Sequence, residues 1–227
     1  ISLLKGHVGD FDYGLILKKI FNSLTDLLSS AFIIIIYALF IFLEEANFDT
    51  KLRGMFKNEY AKLSEILSKI EISITKYIGL KTLLSLITGT LSDIVMAIIG
   101  IDAPLFWSFL IFALNFIPTI GSLIATLFPA IFCLLQFGGF NEALMVLFFV
   151  GIIQVLVGNL LEPKLMGNSL NISSLVAIFA LSFWGVLWGV TGMIISVPIT
   201  VVMVIIFSNF EKTRPIAILL SDKGNID

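Results

Sequence analysis

Several polar residues in this 227-residue chain sit where the surrounding sequence is apolar, and their types suggest two chemistries. Asp93 is the one acid well inside an otherwise apolar run. A carboxylate in hydrocarbon is costly, and a carrier coupled to protons or sodium needs one, so Asp93 is a candidate for ion coupling. Its structural alternative is capping by Thr90 or Ser92, or a place on a water-filled vestibule. Glu162-Pro163-Lys164 form a polar island between two apolar runs, followed by Gly167. Glu162 is the second candidate for ion coupling, with a solvated interfacial loop as the alternative. Pro163 is expected to end the preceding helix and expose its carbonyls. Gln154 and Asn159 lie just before the island; five residues apart on an α-helix, they fall about 140° apart around its axis. Each can hydrogen-bond a neighbouring helix or hold a polar solute, Gln154 being the deeper of the two. Asn115, just ahead of Ile117-Pro118, can serve freed backbone carbonyls or a solute.

These residues are embedded in a chain with 58% hydrophobic and 13% charged residues, where a soluble domain carries about 25% charge. A water-soluble globule of this size could not hide that much apolar surface, which excludes a soluble enzyme and a disordered protein. Net charge is −2, so there is no basic footprint for nucleic acid. The single cysteine, Cys133, forms no intrachain disulfide, and the single histidine, His7, lies near the start. No cluster has metal-ligand spacing, no glycine loop for a nucleotide is present, and no Ser/Lys or His/Asp/Glu dyad lies in the apolar runs. Neither metal, cofactor nor enzymatic activity is therefore expected.

Membrane spans show as gaps between charges, each needing about 20 residues. Residues 27–43 and 143–161 are one crossing each, and 78–101 is a third, carrying Lys81 near its start. The longest gaps, 103–141 and 165–210, would be roughly 58 and 69 Å as continuous helix, so each must be two passes. Each breaks near its middle, at Ile117-Pro118-Thr119-Ile120-Gly121 and at Gly185 to Gly192. Apolar residues from Phe48 to Ile78 recur every three or four positions opposite a lysine-rich face, which reads as an amphipathic helix on the membrane surface or on the core. The expected organisation is an extramembrane segment over 1–23, a transmembrane helix over 24–43, an amphipathic cytoplasmic segment over 44–77, a transport core over 78–208 and a cytoplasmic tail over 209–227. The start at Ile1 suggests a piece of a longer protein.

Lysine and arginine cluster in 51–81 and again after 211, placing both regions in the cytoplasm with an even number of crossings between them: six, or four or two if some pairs are re-entrant. The core divides into two sets, each a helix followed by an interrupted apolar pair: 78–101 with 105–117 and 123–137, then 141–161 with 173–184 and 193–208. Paired, interrupted segments of this kind are the pattern of inverted repeats in secondary transporters. Backbone broken at membrane depth must lie against protein or a watery cavity. Pro118, Gly121, Gly189 and Gly192 at the two breaks thus join Asn115, Gln154 and Asn159 as the expected substrate path, with turns and close helix approach as the glycines' structural role. Trp107, Trp184 and Trp188 read as interface anchors or packing.

The run Asn115-Phe116-Ile117-Pro118-Thr119-Ile120-Gly121, then Gln154 with Gly158-Asn159-Leu160-Leu161-Glu162-Pro163-Lys164-Leu165-Met166-Gly167-Asn168-Ser169-Leu170, then Gly185, Gly189-Val190-Thr191-Gly192 and Pro198, resembles three ordered motifs of the autoinducer-2 exporter, or PerM-type permease, family. Thr119 stands where the family often has an aromatic, and Ser122 where it has proline. The resemblance implies an inner-membrane protein of about eight spans, often a homo-oligomer, with further N-terminal spans. It links the chain to export of autoinducer-2, and through another branch to Na⁺(Li⁺)/H⁺ antiport. It gives Pro163, Lys164 and Gly167 their place in a motif loop.

The sequence therefore predicts an all-α, polytopic helical membrane protein with broken or re-entrant helices, paired as an inverted repeat, in the bacterial cytoplasmic membrane. Its expected function is secondary transport of a small polar solute such as autoinducer-2 outward. A cation antiporter on the same fold and a non-transporting membrane scaffold are the alternatives. Expected partners are lipid, the solute or a cation, and further copies of the chain.

Overall fold

The computed structural model describes residues 13–166, 172–222 and 224, with side chains described from residue 32 onward, Ala46 apart. Gly167, and residues 1–12 of the expected N-terminal segment, lie outside the described residues. All described regular structure is helical. The chain forms two compact units, one up to Ala61 and one from Lys62 onward.

The first unit is built on α1, a 43-residue helix over Tyr13–Met55. It runs unbroken from the expected extramembrane segment through the apolar run. Phe32 to Leu43 expose most of their large apolar side chains, as a helix surrounded by lipid would. The helix stops at Met55, and a turn over residues 56–59 follows, so the expected amphipathic segment over 44–77 is two pieces rather than one. Gly54 has nothing packed within 4 Å and Asn58 favours turns, so little holds a helix through this stretch. Exposed Asp49 takes hydrogen bonds from Tyr60 and Arg53. The Tyr60 hydroxyl, ahead of Arg53, holds its carboxyl below the ordinary value.

From Lys62 onward the second unit holds nearly all of α2, which spans Tyr60–Ile99 and passes residues 77 and 78 without a break. Its buried stripe is Tyr77, Lys81, Leu84, Ser85, Thr88, Gly89, Ser92 and Met96. Small residues on this stripe let a neighbour come close: a Cβ on Gly89 would stand 3.1 Å from the Ser108 carbonyl oxygen. That neighbour is α3, Pro104–Leu114, which leads to α4, Ile120–Phe137. The break between them has a covalent cause. Pro118 disfavours helix at Ile117, so the chain leaves the helix and restarts at Ile120. At the bend, the Ile120 N–H donates to the Pro118 carbonyl at 2.6 Å around Thr119, whose φ is 59° and ψ −58°. This is the strained form of the γ-turn, and Thr119 is β-branched.

The two arms return to one base. Gln136, near the end of α4, accepts from the Asp102 N–H at 2.9 Å and donates to the Gly100 carbonyl at 3.0 Å. Trp107 packs on Phe132 with ring centroids 4.9 Å apart. At the bend, a Cβ on Gly121 would stand 1.9 Å from the Leu114 carbonyl oxygen, a place only glycine can occupy. With 11 residues, α3 is about 16 Å long, half of what a bilayer crossing needs. Thus 104–137 is a helical hairpin with a short first arm and a longer second one.

Next come α5, Phe140–Val155, a π-helical turn over Leu156–Leu161 and α6, Glu162–Met166, which continue one another as a 27-residue apolar rod. Pro163 does not end this rod as expected. Pro163 has no N–H to give and its ring crowds the preceding turn; the chain absorbs this by widening to i→i+5 bonding, with the Glu162 N–H donating to the Val157 carbonyl.

The last long element is α7, Ser174–Ser208, broken at Gly189 alone rather than across 185–192. Gly189 has φ 62° and ψ −143°, a conformation essentially reserved for glycine. A Cβ on Gly192 would stand 1.9 Å from the Trp184 carbonyl oxygen, eight residues back. The chain therefore reverses here, as it does at Gly121. This second hairpin is also tied at its base, where the Ser173 N–H donates to Leu220 of α8, Arg214–Leu220, at 3.1 Å.

Each set is thus a long helix followed by a hairpin closed on a glycine. Among the described residues four helices are long and apolar enough to cross a membrane: Tyr60–Ile99, Ile120–Phe137, Phe140–Met166 and Ser174–Ser208. The chain is a polytopic helical membrane protein. One apolar cluster around Met96, Ile111, Cys133, Val146 and Val150 packs the first hairpin. A second, around Tyr77, Leu84, Val157, Met166, Val197 and Val201, joins α2, the π turn and α7. Replacing Thr119 by glycine is expected to raise thermal stability by about 1 kcal/mol, strain relief outweighing lost chain stiffness. Detergent-phase unfolding curves check this.

Candidate functional site

A cavity of about 1000 Å³, lined by both polar and apolar side chains, adjoins the second apolar cluster. Its walls come from four places: the first half of α2, the bend of the first hairpin, the end of α5 with the π turn and α6, and the second hairpin, whose two arms add Leu181, Val197 and Val201. From α2 it receives Lys69, Ser73, Tyr77 and Lys81, one residue per turn along a single face. The bend supplies Asn115, Pro118, Thr119 and Ser122; the α5–α6 rod supplies Gln154, Asn159, Glu162 and Pro163. Ser174, Ser208 and Asn209 line the base of the second hairpin.

The cavity deepens from an exposed rim to a buried end. Lys69 and Asp222 at the rim are exposed, whereas Tyr77, Lys81, Asn115 and Gln154 are buried. At the buried end the Lys81 ammonium donates to Glu162 Oε1 at 2.7 Å, joining α2 to the α5–α6 rod. The Lys81 side chain is 6% exposed and that of Glu162 is 25%. Such a pair has lost most of its hydration, so each partner depends on the other. One turn further along α2, Ser85 accepts from Asn115 Nδ2 at 3.1 Å, which fixes the bend of the first hairpin to α2. Gln154 is 9% exposed, and its Nε2 has no hydrogen-bond partner. A buried amide donor left without an acceptor is costly.

Helix geometry alone would put Gln154 and Asn159 on different sides of the rod, yet both line the cavity. The π turn between them is the reason. With i→i+5 bonding, residues five apart follow one another around the axis, so Gln154, Asn159 and Glu162 face the same space.

Of the residues singled out from the sequence, Asn115, Pro118, Gln154, Asn159, Glu162 and Pro163 line one cavity. Gly121 and Gly192 do not; they are buried at the closures of the two hairpins, and Gly189 makes the second bend. The second break therefore does not border this cavity as expected. Asp93 also lies off it, on the part of α2 beyond Ser85, with Oδ1 buried and unpartnered. Lys164 is exposed on α6. Lys81 lines the same cavity, a place the sequence does not assign to it. In the sequence it marks the start of a span, and only its helical spacing from Lys69, Ser73 and Tyr77 signals a shared face.

A family model described as "AI-2E family transporter" matches residues 9–212. The chain is 37% identical over 207 residues to the "AI-2 transport protein TqsA" of Escherichia coli strain K12, an alignment covering 91% of this chain and 60% of the relative. It is 37% identical over 206 residues to a Borreliella burgdorferi protein provisionally named a transport protein, covering 90% and 57%. A similarly named Haemophilus influenzae protein is 31% identical over 219 residues, covering 94% and 63%. The chain thus spans about 60% of the length of these relatives.

Proposed function

The chain belongs to the AI-2E transporter family, and on that premise we propose that it is the transport core of a secondary exporter for a small polar solute such as autoinducer-2. The observation that carries this reading is that the Lys81–Glu162 pair, Asn115, Gln154 and Asn159 line one cavity. A solute rich in hydroxyl and carbonyl oxygens supplies the acceptor that Gln154 lacks. It also satisfies the hydrogen-bonding capacity of Lys81 and Glu162 left over from their pairing.

The topology supports outward transport. The first half of α2 bears Lys62, Lys69 and Lys76, and the chain after α7 bears Lys212 and Arg214, so both belong on the cytoplasmic side. Then α2 crosses outward, the first hairpin dips in from outside and the α5–α6 rod crosses back. The second hairpin enters from the cytoplasm. Two crossings separate the basic regions, and the two hairpins enter from opposite faces, which is the inverted arrangement. The cavity opens at the cytoplasmic ends of these elements and is floored by the bend of the first hairpin. This is a loading state for export, and alternating access requires that floor to move away from α2. The setting is the bacterial cytoplasmic membrane, and the exposed apolar flanks meet lipid or further copies of the chain.

Cation antiport is the less favoured use of this fold, because Lys81 already occupies the place beside Glu162 that a cation would take. Purified protein in liposomes should carry autoinducer-2 down its gradient and show no Na⁺-dependent proton flux. Proton flux without autoinducer-2 flux would reverse the reading, and neither flux would favour a scaffold. Replacing Gln154 by leucine is expected to weaken autoinducer-2 binding about tenfold while raising stability by about 1 kcal/mol, since an orphaned amide is removed. Titration calorimetry and thermal unfolding on the same preparation check both halves.

A further inference from the structure

We propose that the Lys81–Glu162 pair sets the charge selectivity of the cavity: by compensating each other, the two residues reserve it for uncharged solutes. The inference rests on the reading of the cavity as a solute site and adds the rule by which it chooses.

The pair supplies the only two formal charges at the buried end of the cavity among the described residues. The other charged lining residues, Lys69 and Asp222, stand at the exposed rim. Lys69 there is paired with Glu65 at 2.8 Å, in contact with water that screens it. At the buried end the opposite charges stand 2.7 Å apart, so their far field nearly cancels while their local hydrogen-bonding capacity remains. The ammonium has three N–H groups and the carboxylate two oxygens, and the bond between them uses one of each. Gln154, an uncharged amide, lines the same cavity. A neutral solute is held by these groups and brings no charge to desolvate. An ionic one loses its hydration and meets no net opposite charge in return.

Selectivity should then follow the balance of the pair. Lys81→Met leaves the carboxylate alone and should favour cations; Glu162→Gln leaves the ammonium alone and should favour anions. Lys81→Met with Glu162→Gln, and the swapped pair Lys81→Glu with Glu162→Lys, are both balanced and should again favour neutral solutes.

The test is uptake into liposomes of three five-carbon solutes of similar size: ribitol, ribonate and 1-amino-1-deoxyribitol. Wild type should take ribitol at least about tenfold faster than either ion, as the cost of an uncompensated charge implies. The single variants should shift preference by about tenfold toward ribonate or the amine according to the charge left behind. The balanced doubles, which carry the test even if a single variant does not fold, should restore the preference for ribitol. If folded doubles take the ions as fast as ribitol, or a folded single variant loses ribitol uptake without gaining either ion, the pair does not set selectivity. If wild type takes none of the three solutes and no autoinducer-2, the reading of the cavity as a solute site fails instead.

Discussion

Alanine at Gly121 or at Gly192 is expected to destabilise the protein by about 3 kcal/mol or more, although each change adds a single methyl group. At both positions the new Cβ would stand 1.9 Å from a backbone carbonyl oxygen, of Leu114 and of Trp184. Neither oxygen belongs to a flexible side chain that could swing away. Accommodating the methyl means opening the hairpin, which for Gly121 also pulls on the Asn115–Ser85 hydrogen bond that fixes the bend to α2. Gly151 is the control. It lies in α5 with nothing within 4 Å of a Cβ, so alanine there should be neutral or stabilising by up to about 1 kcal/mol. Thermal unfolding in detergent, read as the monodisperse fraction against temperature, separates the three variants. Wild-type curves for Gly121→Ala and Gly192→Ala would show that the hairpins do not close in this way.

The second large effect belongs to the buried pair. Lys81→Met or Glu162→Gln alone should cost about 3 kcal/mol, because a desolvated charge loses its partner. The double variant should recover most of that loss, as replacing both members of a buried pair is often nearly neutral. The cycle therefore predicts a coupling energy of about 2 kcal/mol or more between residues 81 apart in sequence. Additive effects of the two single changes would mean that the side chains do not meet.

The sequence-level reading captured what depends on charge gaps and on proline. The break before Gly121 follows from Pro118, and the need to fold back follows from a 46-residue apolar run that no bilayer could take as one helix. Gathering Asn115, Gln154, Asn159 and Glu162 needed tertiary information. The π turn changes the angular spacing locally, so no fixed 100° step could place Gln154 and Asn159 together. Lys81 is not legible in this way, because a lysine near the start of an apolar run looks the same from sequence whether it faces headgroups or a carboxylate 81 residues away. The role of the second break is not legible either, because glycine-rich stretches serve hinges, turns and close packing alike. At Gly192 close packing prevailed, against the Trp184 carbonyl.

The proposed transport rests on a solute-binding cavity reached from the cytoplasmic face and floored by the bend of the first hairpin. Cysteine at Ser122, in a background where buried Cys133 is replaced by serine, probes that floor directly. A membrane-impermeant maleimide should label Ser122→Cys from the cytoplasmic side of inverted vesicles, and autoinducer-2 should slow that labelling. Cysteine at the neighbouring Leu123, which is exposed but does not line the cavity, should show no such protection. Labelling of Ser122→Cys only from the outer face, or labelling indifferent to saturating autoinducer-2 while flux persists, would contradict the account.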